Sequence, residues 1–95
     1  MLNVTILVVD NVPDTLRTVC EFLERAGYTT IRAATKEEGK RLIEQGTAQL
    51  AIIDMRLINE DDDHDFSGIE LAKEVRANIP RIIYSQYPSY EAARD

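Results

Sequence analysis

Asp10, Asn11, Asp54 and Ser85 are the residues whose types and positions could do chemistry together. Each closes a short apolar run. Ile6-Leu7-Val8-Val9 ends on Asp10-Asn11, Leu50-Ala51-Ile52-Ile53 ends on Asp54, and Ile82-Ile83-Tyr84 ends on Ser85. Gathered in one place, they make a small polar site of two carboxylates, an amide and a hydroxyl. Other chemistries are excluded by what the chain lacks. Cys20 is the one Cys and His64 the one His, too few for a zinc site. His64, the one His, sits in a mobile acidic loop, so no Ser-His-Asp or Cys-His pair is expected. Residues 10–13, Asp-Asn-Val-Pro, are no glycine-rich phosphate loop.

The elements that must position these residues can be read from the same runs. They are short, unalternating and rich in Ile, Val and Leu. Strands buried on both faces read this way, and such strands belong to parallel sheets flanked by helices. In a parallel sheet the carboxyl ends of the strands meet at one edge, where open α/β folds bind ligands. Between the runs lie helical patterns. Pro13 opens one helix, Leu16, Val19, Cys20, Leu23 and Ala26 give it an apolar stripe, and Gly27 stops it. Residues 28–34 form a second β-rich run. Thr35 and Glu38 make a capping-box signature for a helix over 36–45, ended by Gly46. After the strand at 50–53 comes a long polar connection, 55–66. Ser67 or Asp65 then caps a third helix, with Ile69, Ala72 and Val75 turned to the core and Leu71 alongside. Pro80 precedes the strand Arg81–Tyr84, and Pro88 opens a last stretch read as a short helix. Strands 3–9, 28–34, 50–53 and 81–84 alternating with helices predict right-handed crossovers and a doubly wound α/β parallel sheet in one domain, residues 1–95.

Composition narrows the function. No apolar run approaches the ~20 residues that span a bilayer, and the first residues read as a strand and not as a signal peptide. With a single Cys, the chain suits a reducing cytoplasm. The net charge is −6, and Glu60, Asp61, Asp62, Asp63 and Asp65 concentrate much of it. Such a surface is a poor partner for nucleic acid or an anionic membrane, which need clustered Lys and Arg. The run 61–65 is superficially like a calcium loop. It lacks the Gly at the sixth position and the Glu at the twelfth, so it reads as a flexible acidic loop. Cys20 reads as core, His64 as a solvated surface group, and Tyr84, Tyr87 and Tyr90 as packing and tail residues. Taken singly, Asp10 or Asp54 would be a loop cap, Asn11 a turn residue and Ser85 uninformative. The convergence of three strand ends makes them a site.

ILVVDNVPDTLR at the first strand and turn, LAIIDMRL at the third strand, SGIELAKEVR on the third helix and IPRIIYS at the fourth strand together resemble the receiver domain of two-component response regulators. The resemblance runs through nearly the whole chain in the family's order. It implies a flavodoxin-like fold and a phosphoryl group accepted on Asp54 from a sensor histidine kinase or phosphotransfer protein. It implies Mg²⁺ held by Asp10, Asn11, Asp54 and the backbone carbonyl of Arg56. Ser85 would hydrogen-bond the incoming phosphoryl group. The physics agrees with these roles. Two anions roughly 4 Å apart repel by about 4 kcal/mol at an effective dielectric near 20, so a carboxylate attacks phosphorus only with its charge neutralised. Few oxygen ligands supplemented by water suit Mg²⁺.

Some positions depart from the family. Asn11 stands where an acid is usual and removes one negative charge, which lowers the expected metal affinity. Gln86 follows Ser85 where a small residue is usual. Gly68 comes fourteen residues after Asp54, later than the family places it, and Ile58 stands where Pro is common. The family continues with a strand carrying a Lys and a further helix, and this sequence ends at Asp95. The expectation is therefore a receiver-like sheet of order 2-1-3-4, incomplete at its C-terminus and missing the last strand and helix. Strand 81–84 becomes an edge to be covered by a homodimer partner or an additional segment. Two rival functions remain open. One is a pseudo-receiver used only for association, motivated by Asn11, Gln86 and the absent Lys. The other is a phosphatase or phosphotransferase with an Asp nucleophile, which lacks a visible acid–base partner. The receiver reading makes the chain a signalling module and not an enzyme.

Overall fold

The computed structural model describes residues 4–59, 62, 64–75 and 78–85. The chain runs β1 (Thr5–Val9), α1 (Pro13–Arg25), β2 (Thr29–Ala33), α2 (Lys36–Glu44), β3 (Leu50–Asp54), α3 (Ser67–Glu74) and β4 (Arg81–Tyr84). The four strands form one sheet in the order β2-β1-β3-β4, every neighbouring pair parallel. This is the doubly wound arrangement expected from the unalternating apolar runs.

Burial follows strand alternation. Leu7 and Val9 of β1 with Ala51 and Ile53 of β3 join Ala33, Ile43 and Leu71 in a core on one face, under α2 and α3. Ile6 and Val8 point the other way, where Leu16 and Cys20 of α1 cover them. β1 lies between β2 and β3 with α1 over one face and α2 over the other, so Leu7, Val8 and Val9 are fully buried. Each such side chain contributes about 1.5–3 kcal/mol.

The helix ends explain themselves. Val12 precedes Pro13 and gives α1 no side-chain cap. At α2 the Thr35 side chain accepts from the Glu38 N–H at 3.1 Å. The Glu38 carboxylate reaches back to the Ala34 N–H, one residue earlier than the capping box expects. Gly27 and Gly46 follow α1 and α2 with φ of 100° and 82°, left-handed values that a side chain rarely tolerates.

Some expectations need correction. Ala26 is exposed at the end of α1 and does not extend the apolar stripe, while Phe22, on the outer side, is 71% exposed. In α3 the core is made by Leu71 and Val75 with Ala72 alongside. Ile69 is only half-buried and does not join it, because it sits on the flank of a short helix whose buried line passes through Gly68 and Leu71. Val75 itself has extended backbone and ends the helix. β4 is apolar but not buried: Ile82 and Ile83 are 50% and 37% exposed, and among the described strands β4 pairs with β3 alone. No described helix is long and apolar enough to cross a membrane. Gln86, Tyr87, Tyr90 and the stretch after Pro88 lie outside the described residues.

Candidate functional site

Asp10 and Asp54 occupy matching places on adjacent strands. The β1–β3 register pairs Val9 with Ile53, and each Asp is the next residue. Equal register in a parallel pair puts the two side chains on one face, with backbones about 4.8 Å apart. Both carboxylates are fully buried. At that spacing two negative charges repel by about 3 kcal/mol at an effective dielectric near 20. A pair of buried acids at a strand edge therefore calls for compensating positive charge or hydrogen-bond donors.

The donors are partly visible. Asp10 Oδ1 accepts the Val12 N–H at 2.8 Å, an Asx turn that aims the chain into α1. Asp10 Oδ2 accepts the hydroxyl of Tyr84. Asp54 Oδ1 accepts the Arg56 N–H at 3.3 Å. Asn11 is half-buried beside Asp10. Arg56 is buried, only 3% exposed, and is not a surface cation. Ser85 follows Tyr84, the register partner of Asp54. Its Oγ is buried and has no hydrogen-bond partner among the described residues. An orphaned hydroxyl at this edge is costly unless something accepts its proton.

The connection after β3 departs from the sequence reading. Asp65 belongs to the run read as a flexible acidic loop, yet it is 8% exposed and holds that loop together. Its Oδ2 accepts from the N–H groups of Ile58 and Asn59 at 2.8 and 2.6 Å. Its Oδ1 accepts from the Ser67 N–H and hydroxyl at 2.9 and 2.6 Å. Ser67 Oγ in turn accepts from the Leu57 N–H at 2.8 Å. Burial disfavours the charged Asp65, but the bonds from Ser67, Asn59 and Ile58 outweigh it and hold the carboxyl below its ordinary value. Asp65 thus caps α3 from one residue before the cap position. Phe66, at that position, supplies no side-chain bond. His64 remains a surface group, its N–H and ring both directed to Asp62.

Gly68 joins this loop to the acceptor strand. Its N–H donates to the Met55 carbonyl at 2.9 Å. A Cβ on Gly68 would stand 1.8 Å from the Asp54 carbonyl oxygen. The start of α3 is therefore pressed onto the backbone that carries Asp54, and only Gly allows it.

Of the two caps expected for α3, Asp65 is the one that binds its first turn. The sequence did not anticipate the bonds of Asp65 and Ser67 to the loop, nor Tyr84 and the Arg56 side chain as parts of this region. Two signals were available. Tyr84 closes its apolar run at the place that pairs with Asp54, and Asp65-Phe66-Ser67 has the spacing of a carboxylate that bonds a backbone N–H two residues on.

Among the described residues no group of three or more His, Cys, Asp or Glu is gathered around one point. Magnesium does not require one. It is held by one or two carboxylates and keeps several waters. Asp10 and Asp54, with the Asn11 side chain and a carbonyl of the loop after Asp54, are a donor set of the right chemistry.

No family model matches the chain, and no curated protein does. Solved structures do. The CheY-like response regulator receiver domain protein of Methanospirillum hungatei is 31% identical, with a TM-score of 0.73 over 98% of this chain and 72% of that one. The non-phosphorylated HemR receiver domain of Leptospira biflexa is 25% identical, with a TM-score of 0.71 over 97% of this chain and 73% of that one. A response regulator of Burkholderia pseudomallei, described with a phosphorylated aspartic acid, a calcium ion and citrate, shares the fold at 21% identity and a TM-score of 0.65 over 97% of this chain and 52% of that one. Strand order, parallel register and identity over nearly the whole length agree, and the chain belongs to the CheY-like family of response regulator receiver domains.

Proposed function

We propose that this receiver domain accepts a phosphoryl group on Asp54 from a histidine-phosphorylated kinase or phosphotransfer protein. A carboxylate oxygen of Asp54 attacks phosphorus, the phosphorus–nitrogen bond breaks, and the imidazole leaves with its electron pair and takes a proton. The product is a mixed anhydride on Asp54. Asp10, the Asn11 side-chain carbonyl, Asp54 and the Arg56 backbone carbonyl would hold Mg²⁺. That cation supplies the positive charge that lets two anions meet. Asp10 anchors the pocket from β1, and the Arg56 N–H orients the Asp54 carboxylate. The Ser85 hydroxyl would donate a hydrogen bond to a phosphoryl oxygen once that oxygen is in reach.

The observation that carries this reading is the pair of buried carboxylates, Asp10 and Asp54, at matched register on adjacent strand ends. The orphaned Ser85 Oγ supports it. So does the phosphorylated aspartic acid described for the Burkholderia pseudomallei structure that shares the fold. The chain acts in the cytoplasm as a signalling module without turnover of its own. Its output is a change at the carboxyl end of β4, where Ser85 sits. A pseudo-receiver that only associates with partners is the second reading. Asn11 and the hydrogen bond that Tyr84 makes to Asp10 favour it, since one removes a charge and the other occupies a ligand oxygen.

Mass spectrometry after incubation with acetyl phosphate and Mg²⁺ decides between them. A single phosphoryl adduct, lost in Asp54→Asn, is expected. An unmodified protein, or an adduct that survives Asp54→Asn, would favour the association module.

A further inference from the structure

We propose that Tyr84 gates the cation pocket: its phenol and a divalent cation compete for the same oxygen of Asp10, so cation binding is coupled to the carboxyl end of β4. The inference rests on the pocket assigned above and adds a residue that controls it.

Both oxygens of Asp10 are engaged. Oδ1 holds the Val12 N–H at 2.8 Å, and Oδ2 holds the Tyr84 hydroxyl. The residue is fully buried, so no bulk water stands ready to exchange. The Oδ1 bond belongs to the turn into α1 and opens only if the chain there moves. Oδ2 is thus the oxygen a cation can gain, and the phenolic hydrogen is directed at it. A hydrogen and a cation on one carboxylate oxygen both carry positive charge and repel.

The path of the ring adds a second reason. β3 lies between β1 and β4, and Tyr84 is the register partner of Asp54. To reach Asp10 on β1, the Tyr84 side chain crosses the end of β3, a span of about two strand spacings. It therefore lies beside Asp54 on the face the two share. Ser85 is the next residue, with its Oγ orphaned. When the phenol leaves Asp10, the strand end that carries this hydroxyl loses its tie to β1. One event at Asp10 frees both the ligand oxygen and the segment expected to meet the phosphoryl group.

A merely structural Tyr84, satisfying its hydroxyl on the nearest acceptor, gives a different result when removed. It would change stability and leave cation affinity alone. Isothermal titration with Mg²⁺ on the full chain, as wild type, Tyr84→Phe and Tyr84→Leu, separates the two. Relief of a competing hydrogen bond to a charged oxygen should tighten Mg²⁺ binding roughly tenfold in both variants. In protein carrying 3-fluorotyrosine, the fluorine resonance absent from Tyr84→Phe belongs to Tyr84, and it should shift as Mg²⁺ saturates. Equal or weaker binding in the variants, or an unmoved Tyr84 resonance, overturns the gate and leaves the pocket standing. Absence of Mg²⁺ binding in all three proteins overturns the pocket, and the gate with it.

Discussion

Asp65→Asn tests the idea that one buried carboxylate orders the loop behind the acceptor strand. The native side chain accepts four bonds, from the N–H groups of Ile58, Asn59 and Ser67 and from the Ser67 hydroxyl. Asparagine keeps one carbonyl oxygen and turns an NH₂ group toward donors. Two bonds to a charged acceptor are lost, each worth about 1.5–3 kcal/mol when its partner stays buried. Some are regained by water, since Ile58 is 77% exposed. A loss of about 2–3 kcal/mol at neutral pH is expected. The pH dependence supplies a second constraint. The folded Asp65 titrates below its ordinary value, so its contribution is complete above the unfolded carboxyl pKa of about 3.9 and is lost as pH falls through the lower folded value. The difference between wild type and Asp65→Asn should hold steady from about pH 7 to 5 and shrink below about pH 4. Urea unfolding of both proteins across that range measures it. Hydrogen exchange at the amides of Leu57, Ile58 and Asn59 should lose protection in the variant. A difference under about 0.5 kcal/mol, the usual limit for an unengaged surface residue, would refute the reasoning. So would one that persists unchanged into strong acid.

Gly68→Ala forces a methyl into the Asp54 carbonyl oxygen, 1.8 Å away, and the nearest atoms it meets are all backbone of Asp54 and Met55, which leaves little room to relax. A loss of about 3 kcal/mol or more is expected, read as a melting temperature lower by roughly 12 °C or more. Cys20 is buried, and desolvation, outweighing the lowering influence of Thr30 and Arg32, pushes its thiol up. The native protein should resist alkylation by iodoacetamide at mildly alkaline pH and react fully in denaturant. Lys36 bonds Glu74 at 3.0 Å and ties α2 to α3. Glu74 is 45% exposed, so Glu74→Gln should cost under about 1 kcal/mol in thermal unfolding and less still at high salt.

Much of the fold was legible because its signals were local. Ile6 to Val9 and Leu50 to Ile53 are apolar without alternation, and only a sheet covered on both sides gives such runs a place. Gly27, Gly46 and the Thr35–Glu38 pair marked helix ends that depend on a few neighbouring residues. β4 reads like the other strands but is half exposed, since burial depends on what packs beside it and its own residues do not encode that. At the site, Asp10, Asn11, Asp54 and Ser85 could be collected because strand ends converge. Asp65 could not. An Asp within an acidic run has the composition of a solvated loop, and its burial arises from the fold of the connection around Ser67. Tyr84 was hidden for a similar reason. Its partner is 74 residues away in sequence, and a single hydroxyl leaves no pattern in the chain.

The central claim is that Asp10 and Asp54 share one cation pocket at the rim of the sheet. Melting temperature against Mg²⁺ concentration, for wild type, Asp10→Asn and Asp54→Asn, tests it most directly. The wild type should gain stability as RT ln(1 + [Mg²⁺]/Kd). Asp54→Asn should start out more stable by about 1–3 kcal/mol, from relieved repulsion, and both variants should respond weakly or not at all to Mg²⁺. A wild type indifferent to Mg²⁺, or variants that respond as fully as it does, would contradict the claim.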